Sequence, residues 1–304
     1  MFFDERNDAL TIATRPLWNG YLSLKSEHNL SAIEAVAENF FTEPRHKSEA
    51  EVAEAIEKKP YRSIWIFHQL SYHSAESLES LFKLLHLIDE GVHRGRVNLI
   101  IPFLVFPRWL DAARRVKEQF HFEYSEEFSE ALLLRILLKN ERATIYSIDM
   151  SEGFPNNEFS GRLVDVSSSE VLVKRIRNLG LHFDSLLPWD PGDLVIVNRI
   201  SAQLGLPVIR ADELDSTKRT ETSILICHRC VTDVEKFQRN ISELMIDNCS
   251  VFCSHFDISE EQTQLLPSLR CRRIFTTNSV YRGQNEKSEL VDILPMETMI
   301  AGVV

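Results

Sequence analysis

The residues best equipped for chemistry are gathered late in the chain. All five cysteines, Cys227, Cys230, Cys249, Cys253 and Cys271, lie in the last third. Cys227-x2-Cys230 followed by Cys249-x3-Cys253 superficially has the spacing of a zinc site. The elements that carry them argue against four converging thiolates. Cys227 closes the apolar run SILIC (223 to 227) and Cys249 precedes the run SVFC (250 to 253), so in a parallel sheet the two sit at opposite edges. Cys253 and His255 end their strand on the same edge as Cys227 and His228, which leaves a mixed Cys/His site geometrically open. Cysteines on buried strands usually act as small hydrophobes, and no metal is expected. His68 and His73 follow the run SIWIF (63 to 67) at the sheet edge where open α/β folds bind ligands. Base rates favour local hydrogen bonding for such positions. Glu126-Glu127 and Glu260-Glu261 stand where first-turn acids complement a helix dipole. No Ser/His/Asp order, nucleotide-binding glycine motif or Walker loop is present, and no catalytic residue is assigned.

The positioning elements follow from hydrophobic period. Strand-length apolar runs, namely SIWIF, VNLIIPFLVF (97 to 106), TIYSI (144 to 148), SILIC, SVFC and RRIFTT (272 to 277), alternate with stretches of helical period. Leu78, Leu81, Leu85, Ile88 and Val92 recur every three or four residues between Ser74 and Val92, as do Val234, Phe237, Ile241 and Leu244. Ser125-Glu126-Glu127 opens a further helix that continues through Leu132 and Ile136. Strands alternating with helices predict an α/β fold with mainly parallel sheets flanked by helices. At 304 residues the chain suits two domains, expected at 1–148 and 149–304, with no Gly/Ser linker between them.

A net charge of −11 without a basic run disfavours broad nucleic-acid binding. The N-terminus, MFFDERNDALTIA, lacks the basic region of a signal peptide, and no apolar run reaches membrane-spanning length. A cytoplasmic protein with reduced thiols and no membrane partner is expected.

From about Arg62 onward, the order of segments resembles ribose-phosphate pyrophosphokinase, the enzyme that makes phosphoribosyl pyrophosphate from ATP and ribose 5-phosphate. SAESLESLFKLLHLIDEGVHRGRVNLIIPFLVFPRW is similar to that family's first-domain helix, strand and aromatic loop, which places Arg108 on the arginine that contacts ATP. PWDPGDLVIVNRISAQLGLPVI resembles its proline-aspartate-x-glycine-glycine loop with the following helix and strand. Asp190 falls on the loop aspartate and Gly192 on the first glycine, and Asp193 replaces the second. RRIFTTNSV followed by VDILPMETMIAGVV resembles the terminal strand, threonine-asparagine turn and closing helix. The resemblance implies two tandem phosphoribosyltransferase-type domains, and self-association or association with a related subunit. It also implies a ligand of the nucleotide or sugar-phosphate class, bound with Mg²⁺.

The departures from the pattern fall on catalytic positions. Trp109-Leu110 replaces glutamine-aspartate, and Asp149-Met150-Ser151 replaces aspartate-leucine-histidine, the histidine of which helps bind magnesium. Only Arg210 to Thr222 separates LPVI from SILIC, so the cationic loop is short, and Lys218-Arg219 is its one basic pair. Where the phosphoribosyl loop should carry two acids and glycines, the chain reads Cys227-His228-Arg229-Cys230-Val231-Thr232-Asp233-Val234. Diphosphate transfer needs cations and a preorganised phosphate cradle. The expectation is therefore a non-catalytic regulatory or structural subunit. Its residual ligand site would be drawn from Arg108, Asp190, Gly192, His228, Arg229, Thr232 and Asp233. The alternative is an enzyme with a rebuilt site on the same fold, transferring diphosphate or phosphoribosyl groups or hydrolysing a nucleotide-like substrate, with His255 among its new residues.

Overall fold

The structure is a computed structural model. It describes residues 2–6, 9–13, 45–46, 63–68, 81, 85, 95–103, 142–150, 162–214, 222–246, 248–280, 289–296 and 299. The chain divides into two compact units, Met1–Ser147 with Phe154–Asp165, and Ile148–Gly153 with Val166–Val304.

The first unit is built on a sheet of β1 (Phe2–Arg6), β2 (Ala9–Ala13), β3 (Arg45–His46), β4 (Ser63–Phe67), β5 (Arg96–Ile100), β6 (Ala143–Ile148) and β7 (Leu163–Val166), in the order β3-β1-β2-β4-β5-β6-β7. Strands β2, β4, β5 and β6 run parallel, and β1 joins β2 and β3 antiparallel. Ile64, Ile66, Val97, Leu99, Ile100 and Ile145 are all buried, as expected of strands covered on both faces. Strand β5 stops at Ile100 instead of running to 106. Pro102 has no N–H to give to the sheet, and its carbonyl is taken by the Ser147 hydroxyl at 3.2 Å. Leu81 and Leu85 are helical and Leu81 is fully buried, in keeping with the period between Ser74 and Val92. The helix expected from Ser125, together with Arg108, His73, Lys218 and Arg219, lies outside the described residues.

The second unit has an all-parallel sheet of β8 (Ser185–Pro188), β9 (Ile224–Val231), β10 (Cys249–Phe256), β11 (Ile274–Thr277) and β12 (Val291–Leu294), in the order β12-β11-β10-β9-β8. Its described helices are α1 (Ser169–Asn178), α2 (Leu194–Leu204), α3 (Val234–Leu244) and the single turn α4 (Glu260–Thr263). The core packs Val234, Phe237 and Ile241 of α3 against Ile224, Ile226, Val251, Cys253 and Ile274. Glu260 and Glu261 occupy the first turn of α4, capped by Ser259. Among the described residues, no helix is long and apolar enough to cross a membrane.

Three expectations about elements are corrected. Strand β9 runs four residues past Cys227, because Cys230 and Val231 stay paired with His255 and Phe256 of β10. VDIL is the edge strand β12, paired with β11, not the start of a closing helix. LPVI contributes only a parallel bridge between Val208 and Leu186. Leu186 donates to Pro207 O and accepts from Ile209 N, both at 2.9 Å. The N–H and C=O of a strand residue point to the same side, so Val208 lies on the edge of β8 away from β9. After β8 the chain passes to one side of that strand, and it then returns to build β9 on the other. The carboxyl ends of β8 and β9 therefore flank a topological switch point, where open α/β sheets leave a crevice.

Candidate functional site

At this switch point the structure brings together residues from two segments. Trp189 follows β8 and donates its backbone N–H to Cys227 O at 2.9 Å. Its indole lies 5.5 Å from the His228 ring and 4.9 Å from Phe237. Pro191–Asp193 form one 3-10 turn that leads directly into α2.

The centre of the cluster is Asp193. Its Oδ2 accepts from Asp190 N at 3.0 Å and lies 2.9 Å from His228 Nδ1, and its Oδ1 accepts from Arg229 N at 2.9 Å. The carboxylate side chain is only 4% exposed, His228 18% and Asp190 62%. A buried carboxylate needs such donors to offset its lost hydration. Asp190 Oδ2 reaches to 3.9 Å from His228 Nδ1. Of the residues expected in a ligand site, Asp190, His228 and Arg229 are brought together around Asp193. A Cβ added to Gly192 would meet no atom within 4 Å, so the backbone there approaches nothing closely.

Thr232 and Asp233 serve a different purpose. Asp233 caps α3, accepting from Lys236 N at 3.0 Å. A carboxylate of the chain itself already complements that helix N-terminus. The sequence CHRCVTDV is therefore strand for its first five residues, with only Thr232-Asp233 left as a turn.

Asp149 belongs to a second, fully buried polar network in the same unit. It adopts the left-handed conformation, φ 46°, and its N–H donates to Val166 O at 3.1 Å. Its Oδ1 accepts from Ser168 N at 3.1 Å, and its Oδ2 from the hydroxyls of Ser168 and Ser254, the latter at 2.7 Å. Beside it, His255 Nε2 lies 3.0 Å from Ile148 O and Nδ1 2.7 Å from the Ser279 hydroxyl. A carbonyl can only accept, so Nε2 carries the proton and Ser279 donates to Nδ1. Burial, reinforced by the Arg229 cation, pushes the His255 pKa down to about 3. The ring is neutral and 2% exposed, which suits a structural role better than proton transfer with a substrate. Sequence reasoning missed Ser168, Ser254 and Ser279. The run Ser167-Ser168-Ser169 at the start of α1 was the available signal.

The thiols carry no comparable arrangement. Burial pushes Cys227 above the ordinary thiol range, Cys249 to about 11, and Cys253 and Cys271 to about 12. They are neutral at physiological pH, unlike the thiolates that ligate metals or attack substrates. Among the described residues, the His/Cys/Asp/Glu group whose ligand atoms lie close enough for one cation is Asp190, Asp193 and His228, all within 4.8 Å. Mg²⁺ accompanying a phosphate is typically held through one or two carboxylates. Exposed Asp190 could serve that role, whereas the oxygens of Asp193 are committed to three donors.

No protein-family model matches the chain, and no curated protein does. Among solved structures, phosphoribosylpyrophosphate synthetase from Mycobacterium smegmatis superposes with a TM-score of 0.67 over 98% of this chain and 97% of that one, at 14% identity. The chain has the phosphoribosylpyrophosphate synthetase fold. Its two tandem α/β units are built on mainly parallel sheets flanked by helices. A weaker alignment, to UMP synthase from Leishmania donovani, has a TM-score of 0.23 at 9% identity, over 94% of this chain and 90% of that one.

Proposed function

We propose that this chain is a non-catalytic protein on the phosphoribosylpyrophosphate synthetase fold and acts as a regulatory or structural subunit, associating with itself or with a related chain. The observation that supports this most is the continuation of β9. The strand stays in register with β10 through Phe256↔Val231, so sheet occupies the place where a sugar-phosphate loop would open. Diphosphate transfer is almost entirely positioning and charge stabilisation. A crevice carrying Asp190 and Asp193 supplies the wrong sign of charge for it. Purified protein given ATP, Mg²⁺ and ribose 5-phosphate should form little or no phosphoribosyl pyrophosphate. Turnover within about tenfold of an ordinary 10 per second would overturn this reading.

One observation favours a rebuilt enzyme instead. Buried Asp193 pairs with His228 through Nδ1, the orienting contact that a general-base histidine uses. On that reading the substrate is a nucleotide or sugar phosphate, with Mg²⁺ offsetting the crevice carboxylates. Thermal shift with ATP, ADP, ADP-ribose and phosphoribosyl pyrophosphate, each with Mg²⁺, separates the two readings. A stabilising compound whose turnover disappears in His228→Ala would establish the second.

A further inference from the structure

Asp193 stands at the N-cap position of α2, yet its side chain makes no capping bond to that helix. An N-cap carboxylate ordinarily accepts from the N–H groups two or three residues on. This one turns away, and its bonds run back to Asp190 N and across to Arg229 N and His228 Nδ1 on β9. Three N–H donors from two segments thus converge, at 2.9 to 3.0 Å, on one buried pair of oxygens at the switch point. Two backbone amides and an imidazole N–H aimed at a single spot form the kind of cradle that receives small oxyanions.

We infer that Asp193 is a built-in anion: its carboxylate fills an oxyanion cradle of the chain's own making and shuts out phosphate and other small oxyanions. The inference rests on the non-catalytic reading and deepens it. The donors are satisfied without any metabolite, so the subunit does not respond at this place to the phosphate-bearing compounds that its fold otherwise suits. A second anion would meet the Asp193 charge at contact distance, with Asp190 beside it, and would find the N–H groups of Asp190 and Arg229 and the His228 Nδ1 already taken.

The test empties the cradle. Glycine is among the least costly replacements at an N-cap, so the chief loss in Asp193→Gly is an acceptor for three part-buried donors, and its melting temperature should fall. Sodium formate or phosphate, compared with sodium chloride at matched ionic strength, should restore about 3 °C or more in the variant by refilling the cradle. The wild type should show no difference between the salts, and neither should Asp193→Asn, whose amide still fills the space. If Asp193→Gly does not fold in chloride, its refolding yield in formate against chloride becomes the readout. A wild type stabilised by phosphate as much as the variant would overturn the inference. So would a folded Asp193→Gly indifferent to both oxyanions, or a variant that refolds in neither salt. Phosphoribosyl pyrophosphate synthesis by the wild type would sink the non-catalytic reading while leaving the rescue result intact.

Discussion

His255 shows how one buried ring sets the pH dependence of the fold. Its native pKa is about 3, against the ordinary 6.5 in an unfolded chain, and the main cause is burial. Between those values the unfolded state binds one more proton than the native state. The stability contributed by the neutral ring is therefore complete above about 6.5 and is lost as pH falls toward 3, at up to roughly 1.4 kcal/mol per pH unit. Urea unfolding from pH 7.5 to 4 should show that decline, and His255→Gln should flatten it while lowering stability at neutral pH. An unchanged slope in the variant would assign the acid sensitivity to other groups. The position was legible in the sequence only as a histidine near a sheet edge. Its neutrality comes from burial, and its tautomer is set by Ile148 and Ser279, more than twenty residues away on either side, so no local pattern announces either.

At the scale of elements, α3 owes its start to Asp233. The carboxylate accepts from Lys236 N at 3.0 Å and complements the helix dipole. Asp233→Ala should cost about 1 kcal/mol of unfolding free energy, measured by chemical denaturation, and Asp233→Asn much less. Equal losses in both would mean that charge, not the cap bond, governs this helix start. The helix was plain from Val234, Phe237 and Ile241, because a period of 3.6 survives any tertiary context. Strand interiors were equally plain as apolar runs. Their ends were not: His228 and Arg229 look like loop residues, yet β10 pairs with β9 beyond both. VDIL was expected, by resemblance, to lead into a closing helix, and its edge-strand pairing is a tertiary fact. Arg175 of α1 and Arg273 before β11 fix that edge through ion pairs to Asp292 at 3.0 and 2.9 Å, across separations no motif encodes. The candidate site was half legible. Asp190, His228 and Arg229 were named, but Asp193, read as a lost glycine, turned out to organise them.

For the whole molecule, the proposed subunit role predicts association. Light scattering at micromolar protein should give a mass above the 35.1 kDa of one chain, or affinity capture should recover a stoichiometric related chain. A strict monomer with no partner would argue against a structural role and shift weight to the rebuilt-enzyme reading.

The concealed sulfurs also make the second unit its own clock. Cys227, Cys249 and Cys253 are buried and their thiols are held neutral, so an alkylating reagent reaches them only after the sheet opens. In native buffer, the labelling rate at each cysteine, followed by peptide mass, then measures how often its strand separates. Cys271 and Cys230, half-buried, should react first. Cys227 and Cys253 should be labelled together and last, because they are fully buried in the two most extensively paired strands of that sheet. Early labelling of Cys253 alone would show that β10 leaves the sheet without its neighbour.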